Sequence, residues 1–132
     1  MSQDKEAIQH AFEEMAAGNS RPFIDLLADD VTWNVMGQTK WSGAYRGKTT
    51  VMADLLGQLR TRLAGRYRAH ALCVIAEEPY VVVQARGETT TTAGLPYNNE
   101  YCFVYRFENG AIKEVTEYMD TELVTSALAT IT

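Results

Sequence analysis

Asn109-Gly110 stands between two runs in which apolar and polar residues alternate, Tyr101 to Phe107 before it and Ala111 to Met119 after it. Both central residues of a type I′ turn need positive φ, which Asn and Gly tolerate best. The dipeptide therefore predicts a tight antiparallel hairpin of fixed register. Glu100, Glu117 and Asp120 fall among Tyr101, Phe103, Tyr105 and Tyr118 in this hairpin. Carboxylates set among aromatics on strands are what the wall of a pocket requires.

Upstream the hydrophobic period is helical. Ala7, Ile8, Ala11, Phe12, Met15 and Ala16 mark a first amphipathic helix, with Ser2 as its cap and Gly18 as its stop. Ser20 opens a short second helix that tolerates Pro22 in its first turn, buries Phe23, Leu26 and Leu27, and ends near Asp29-Asp30. Val31 to Met36 alternates as a strand, and a loop with Gly37, Trp41, Gly43 and Gly47 follows it. Val51, Met52, Leu55, Leu56, Leu59 and Leu63 then mark a third helix closed by Gly65. From Tyr67 the period becomes two, with strands expected near 67–76, 79–92, 98–107 and 111–119. The short connections Glu77-Glu78-Pro79 and Ala93-Gly94-Leu95-Pro96 force neighbours to pair antiparallel, and the Thr89 to Thr92 run is read as sheet. The expected fold is a single α+β domain over residues 1–132, with helices covering one face of a curved sheet.

A chain of 132 residues buries roughly two-thirds of its unfolded surface, so no second domain is needed. A net charge of −5 at pI near 5.0 speaks against nucleic acid as a partner. Three of the four arginines in the basic cluster Arg60, Arg62, Arg66 and Arg68 fall at or just past a helix C-terminus, where cations oppose the helix dipole favourably. No apolar run is long enough for a membrane span. The opening MSQDKEAIQH is charged and helical rather than a signal peptide, and a cytoplasmic location is expected. Cys73 and Cys102 lie in apolar strand patterns and read as buried reduced thiols; with His10 and His70 far apart, no metal site is expected. Neither a phosphate loop nor a dinucleotide fingerprint occurs, so any chemistry should be cofactor-free.

Four segments, FEEMAAGN (12–19), FIDLLADDVTWNV (23–35), GAYRGKTTV (43–51) and above all YNNEYCFVYRFENGAIKEVTEYMDT (97–121), resemble the SnoaL-like polyketide cyclase and ketosteroid isomerase-related proteins of the nuclear transport factor two-like superfamily. The resemblance implies a cone, the cystatin-like arrangement in which three N-terminal helices pack on a strongly curved, mainly antiparallel sheet around a pocket. It also implies homodimers through the outer sheet face and a small hydrophobic or aromatic ligand. The superfamily hosts isomerases, cyclases, dehydratases, epoxide hydrolases and non-catalytic binding or protein-interaction modules, so the fold leaves catalysis open. A carboxylate in an apolar cavity gains a raised pKa and becomes an acid or base near neutrality; ketosteroid isomerase, in the same superfamily, sets an Asp base against a Tyr and a protonated Asp that hold the oxyanion.

Asp120 matches the EYxDT segment in which SnoaL-like cyclases carry an acidic catalytic residue, and Tyr118, on the same strand face, could donate to an oxyanion. Asp120 before Thr-Glu-Leu-Val could equally cap a terminal helix. Glu117 points the opposite way in a regular strand unless a bulge re-aims it, and the spacing of Ile112 and Val115 by three requires some irregularity. Asn99 and Tyr101 are expected at the cavity mouth, with Glu100 and Arg106 outward. Trp33, Tyr45 and, less strongly, Trp41 fall where aromatics could grip a flat ligand. Arg86 shares a face with Gln84 and Glu88; turned inward, it would favour an anion.

Overall fold

The computed structural model describes residues 3–128. Helix α1, Gln3–Ala16, buries the stripe Ile8, Ala11, Phe12 and Met15 and lies against the sheet. Its end is set by Gly18 at φ +87°: the Gly18 amide donates to the Met15 carbonyl and the Asn19 amide to that of Glu14, which satisfies carbonyls the helix leaves over. The expected Ser2 cap lies outside the described residues. Helix α2 spans Arg21–Leu26, with Ser20 at its N-cap position but contributing no side-chain bond. It stops earlier than expected because Leu27 already belongs to the first strand.

A six-stranded curved sheet follows, ordered β2-β1-β6-β5-β4-β3. Its strands are β1 Leu27–Val35, β2 Gly43–Arg46, β3 Ala69–Glu77, β4 Tyr80–Gly87, β5 Glu100–Glu108 and β6 Ala111–Met119. All neighbours are antiparallel except β1 and β6, which run parallel. The short strand β2 falls in a segment expected to be loop, since its four residues lack a readable alternation. The threonine run lies beyond β4 and makes only isolated bridges, Leu63 with Thr91 and Thr90 with Pro96. The third helix runs through Lys48–Thr50, a π-type turn Val51–Leu56, and Gly57–Thr61.

The predicted hairpin is present. Asn109 and Gly110 have φ of +53° and +79° and join Glu108 directly to Ala111. Partners run Phe107 with Ile112, then Arg106 with Glu114 and Tyr105 with Val115, so β6 carries one extra residue near Lys113. The bulge resolves the three-residue spacing: Ile112 and Val115 both reach the core, and beyond it the inward set is Val115, Glu117 and Met119. From β5, Tyr101, Phe103, Tyr105 and Phe107 face the same way and are buried. The rings of Tyr101, Phe103 and Tyr105 stack along the strand at centroid spacings of 5.0 and 5.6 Å and meet Phe12, Phe23 and Trp33 edge-on or tilted.

Two cysteine expectations are corrected. Cys73 is exposed and Cys102 half-buried, because both sit on the outer face of the sheet rather than in the core.

Candidate functional site

Between the helices and the concave sheet face lies a cavity of about 680 Å³. Its walls are aromatic and aliphatic, from Phe12 and Phe23 on the first two helices through Leu55, Leu59 and Leu63 to Trp33, Tyr101 and Phe103 on the sheet. Glu117 is the single carboxylate among the described lining residues. It opposes Phe103 on β5 and Val35 on β1, so it stands mid-wall, held between two paired strands. Its residue is half-buried, since part of its surface faces the cavity, but its carboxyl is enclosed by protein.

Desolvation in this setting disfavours the carboxylate and pushes the Glu117 pKa up to about 7, even though a hydrogen bond from Trp33 opposes the rise. The Trp33 indole N–H donates to Glu117 Oε1 at 2.8 Å. Trp33 is itself fixed by edge-on packing against Phe23 and Phe103. A donor-only indole orients the carboxyl without competing for its proton, leaving the other oxygen for a ligand.

A group of phenols shares the cavity. The Tyr101 hydroxyl is hydrogen-bonded to those of Tyr67 and Tyr97, and Asn99 Nδ2 donates to Tyr97 Oη at 3.1 Å. Burial first, and the Glu117 charge among the lesser causes, raises all three; Tyr97 is pushed up to about 12. They stay protonated at any physiological pH and present O–H donors. Gly87 makes room for this group, because a Cβ there would stand 3.3 Å from the Tyr101 ring.

Of the residues expected at a site, Trp33 and Tyr101 line the cavity. So does Trp41, whereas Asp120, Tyr118, Asn99, Arg86 and Tyr45 are not among its lining residues, contrary to where they were expected. Asp120 is exposed, and its carboxylate accepts the amides of Glu122 at 3.0 Å and Leu123 at 3.2 Å as N-cap of the terminal helix Thr121–Ala127. Tyr118 is 47% exposed on the outer sheet face, because the bulge turns Glu117 inward in its place. Asn99 is fully buried but spends its amide on structure: Oδ1 accepts from the amides of Glu100 and Asp120, and Nδ2 also donates to the Asp120 carbonyl. Arg86 is exposed on the outer face, opposite His70 and Glu100. Arg106 also faces outward, with its near carboxylates Glu114 and Glu108 rather than Glu100.

Tyr45 lies behind the wall, donating from its hydroxyl to the Trp41 carbonyl at 2.7 Å. Trp41 is the one that reaches the cavity, with the Arg62 guanidinium 5.2 Å over its ring. Sequence reasoning missed Glu117 as the interior carboxylate. The signal was present in the spacing of Ile112 and Val115, which demands a bulge before Glu117.

Residues 8–115 match the SnoaL-like domain family. No curated protein matches the sequence. Among solved structures, an NTF2-like protein of unknown function from Burkholderia pseudomallei superposes with a TM-score of 0.81 at 22% identity, covering 98% of this chain and 100% of that one. TerC, co-crystallized with polyporic acid, gives 0.78 at 20% identity over 96% and 98% of the two chains. A candidate SnoaL-like polyketide cyclase from Jannaschia gives 0.75 at 16% identity over 95% and 90%. At such identities the likeness concerns the fold.

Proposed function

We propose that this chain, which belongs to the SnoaL-like domain family, is a cofactor-independent acid/base enzyme of the isomerase, cyclase or dehydratase kind, acting on a hydrophobic, flat small molecule. The observation that carries the proposal is the Glu117 carboxyl, alone on an aromatic cavity wall, oriented by Trp33 and brought close to neutral in its pKa. A base works best when its pKa lies near the operating pH, because it is then partly ionised and still basic enough to take a proton.

In the reading we favour, the ligand's ring system packs against Phe103, Trp33 and Leu55. Glu117 takes a proton from a carbon beside a carbonyl, and the negative charge moves onto the carbonyl oxygen. Phenol donors of the Tyr67, Tyr97 and Tyr101 group stabilise that oxygen, and the Glu117 acid returns the proton at another position. Small-molecule binding in this fold is supported by TerC, a relative crystallised with a ligand. The outer sheet face is the proposed homodimer surface: Ile75 and Tyr118 are 59% and 47% exposed there, and Ile75, Val82, Val104 and Thr116 form one row across four strands.

The test is solvent deuterium exchange into a panel of cyclic ketones and polyketide-like phenols, with native protein and Glu117→Gln. Exchange that falls about 100-fold or more in the variant, with ligand affinity retained, supports the reading. Equal binding with no exchange in either protein would make the chain a binding module instead.

A further inference from the structure

The exposed part of the cavity lining forms its mouth. Asn19, Arg21, Arg60, Gly65 and Arg66 are the exposed lining residues among those described. Three of the five are arginines, they come from three separate segments, and none is a carboxylate. This concentration occurs on a chain of net charge −5, so it runs against the background of the molecule.

Local structure accounts for the convergence. The turn at Gly18 carries the chain from α1 to α2 and sets Arg21 at the opening. The loop that leaves the third helix crosses the same turn, where a Cβ on Gly18 would stand 3.4 Å from Arg66 Cδ and 3.6 Å from Arg68 Nε. Arg60 comes from the last turn of the third helix, whose carbonyl ends account for a cation there but not for the approach of Arg21 and Arg66 from other segments. Among the described residues, no carboxylate lies within salt-bridge distance of Arg21, Arg60 or Arg66. The carboxylate closest to the turn in sequence, Glu14, accepts from Asn19 Nδ2 at 2.9 Å. The rim is thus cationic and its depth is apolar, with one ionisable acid on the wall.

We propose that the ligand is an amphiphilic anion: a flat apolar body that fills the cavity and carries a carboxylate or comparable anionic group, held at the mouth by Arg60 and Arg66 with Arg21 alongside. This deepens the acid/base reading and rests on the cavity being the ligand site. An anion anchored at the rim fixes which end of the molecule goes inward, and so which carbon is offered to Glu117. Guanidinium forks suit a carboxylate because they can donate two parallel hydrogen bonds to it.

The experiment compares anthraquinone-2-carboxylate with its neutral carboxamide, which share body and shape. Affinity is read by calorimetry on native protein, on the double variant Arg60→Gln and Arg66→Gln, and on Arg86→Gln as a control from the outer face. The acid is expected to bind native protein and the control about ten-fold more tightly than the carboxamide at low salt. That preference should shrink in high salt and fall to about two-fold or less in the double variant, while carboxamide affinity stays unchanged. Equal affinity for acid and carboxamide in native protein would overturn the anion inference and leave the cavity reading standing. A preference that survives in the double variant would overturn the assignment to this rim. Binding of neither probe would overturn the inference together with the cavity reading beneath it.

Discussion

Glu117 holds its proton to nearly neutral pH because enclosure by aromatic walls removes the water that would solvate its charge, and one indole donor restores only part of the loss. A carboxyl whose pKa is raised from 4.5 to about 7 on folding adds almost no cost below pH 4.5; the cost builds up as pH rises from there to about 7 and is constant above it. Glu117→Gln should therefore be more stable than native protein at pH 8, by about 1–3 kcal/mol, and close to it at pH 4.5, as chemical denaturation at the two pH values would reveal. In activity the same ionisation appears with the opposite benefit: kcat/KM should rise with pH through an apparent pKa near 7. Trp33→Phe removes the donor that lowers this pKa, so the rise should move to higher pH. A profile that stays in place in Trp33→Phe would show that the indole does not tune the acid. Asp120→Ala tests the corrected assignment from the other side. Loss of the cap should cost about 1 kcal/mol in thermal unfolding and leave turnover within a few-fold of native.

Two elements decide which side chains reach the cavity, and they differ in how far the sequence announces them. The Asn109-Gly110 turn sets the hairpin register, and alternation on β5 identifies the aromatic wall; both could be read from residue type and period. The β6 bulge was only half legible. Ile112 and Val115 demanded an irregularity if both were to face the core, but period-two reasoning cannot say that both do, so the face of Glu117 stayed open. A one-residue slip exchanges Glu117 for Tyr118 on the inner face. The mouth was unreadable for a different reason: Arg21 and Arg66 reach the same opening only through the tertiary crossing at Gly18, which leaves no local pattern. The π-type turn of the third helix was also hidden, since Val51 to Leu63 keeps helical spacing through it. Gly57 marks that turn, its amide bonding to the Met52 carbonyl, and a Cβ there would lie 2.7 Å from that oxygen. Gly57→Ala should therefore lower stability by about 1–3 kcal/mol despite the better helix propensity of Ala, and should weaken ligand binding because Met52, Leu55 and Leu59 line the cavity.

The whole molecule divides its sheet between two tasks, with the concave face and helices enclosing the cavity and the outer face exposing apolar side chains. If the outer face joins two copies, light scattering should give a mass of twice 14.7 kDa, and Ile75→Glu should reduce it to one copy while the cavity keeps its ligand. The proposed chemistry rests on the other face, where the Glu117 carboxyl is enclosed on the cavity wall. The most direct measurement is a carboxyl carbon NMR titration of the ligand-free protein, with the Glu117 resonance assigned by its loss in Glu117→Gln. A midpoint near 7 is the predicted result. A Glu117 midpoint near 4.5 would contradict the account, since the carboxyl would then be too well solvated to serve as the base on this cavity wall.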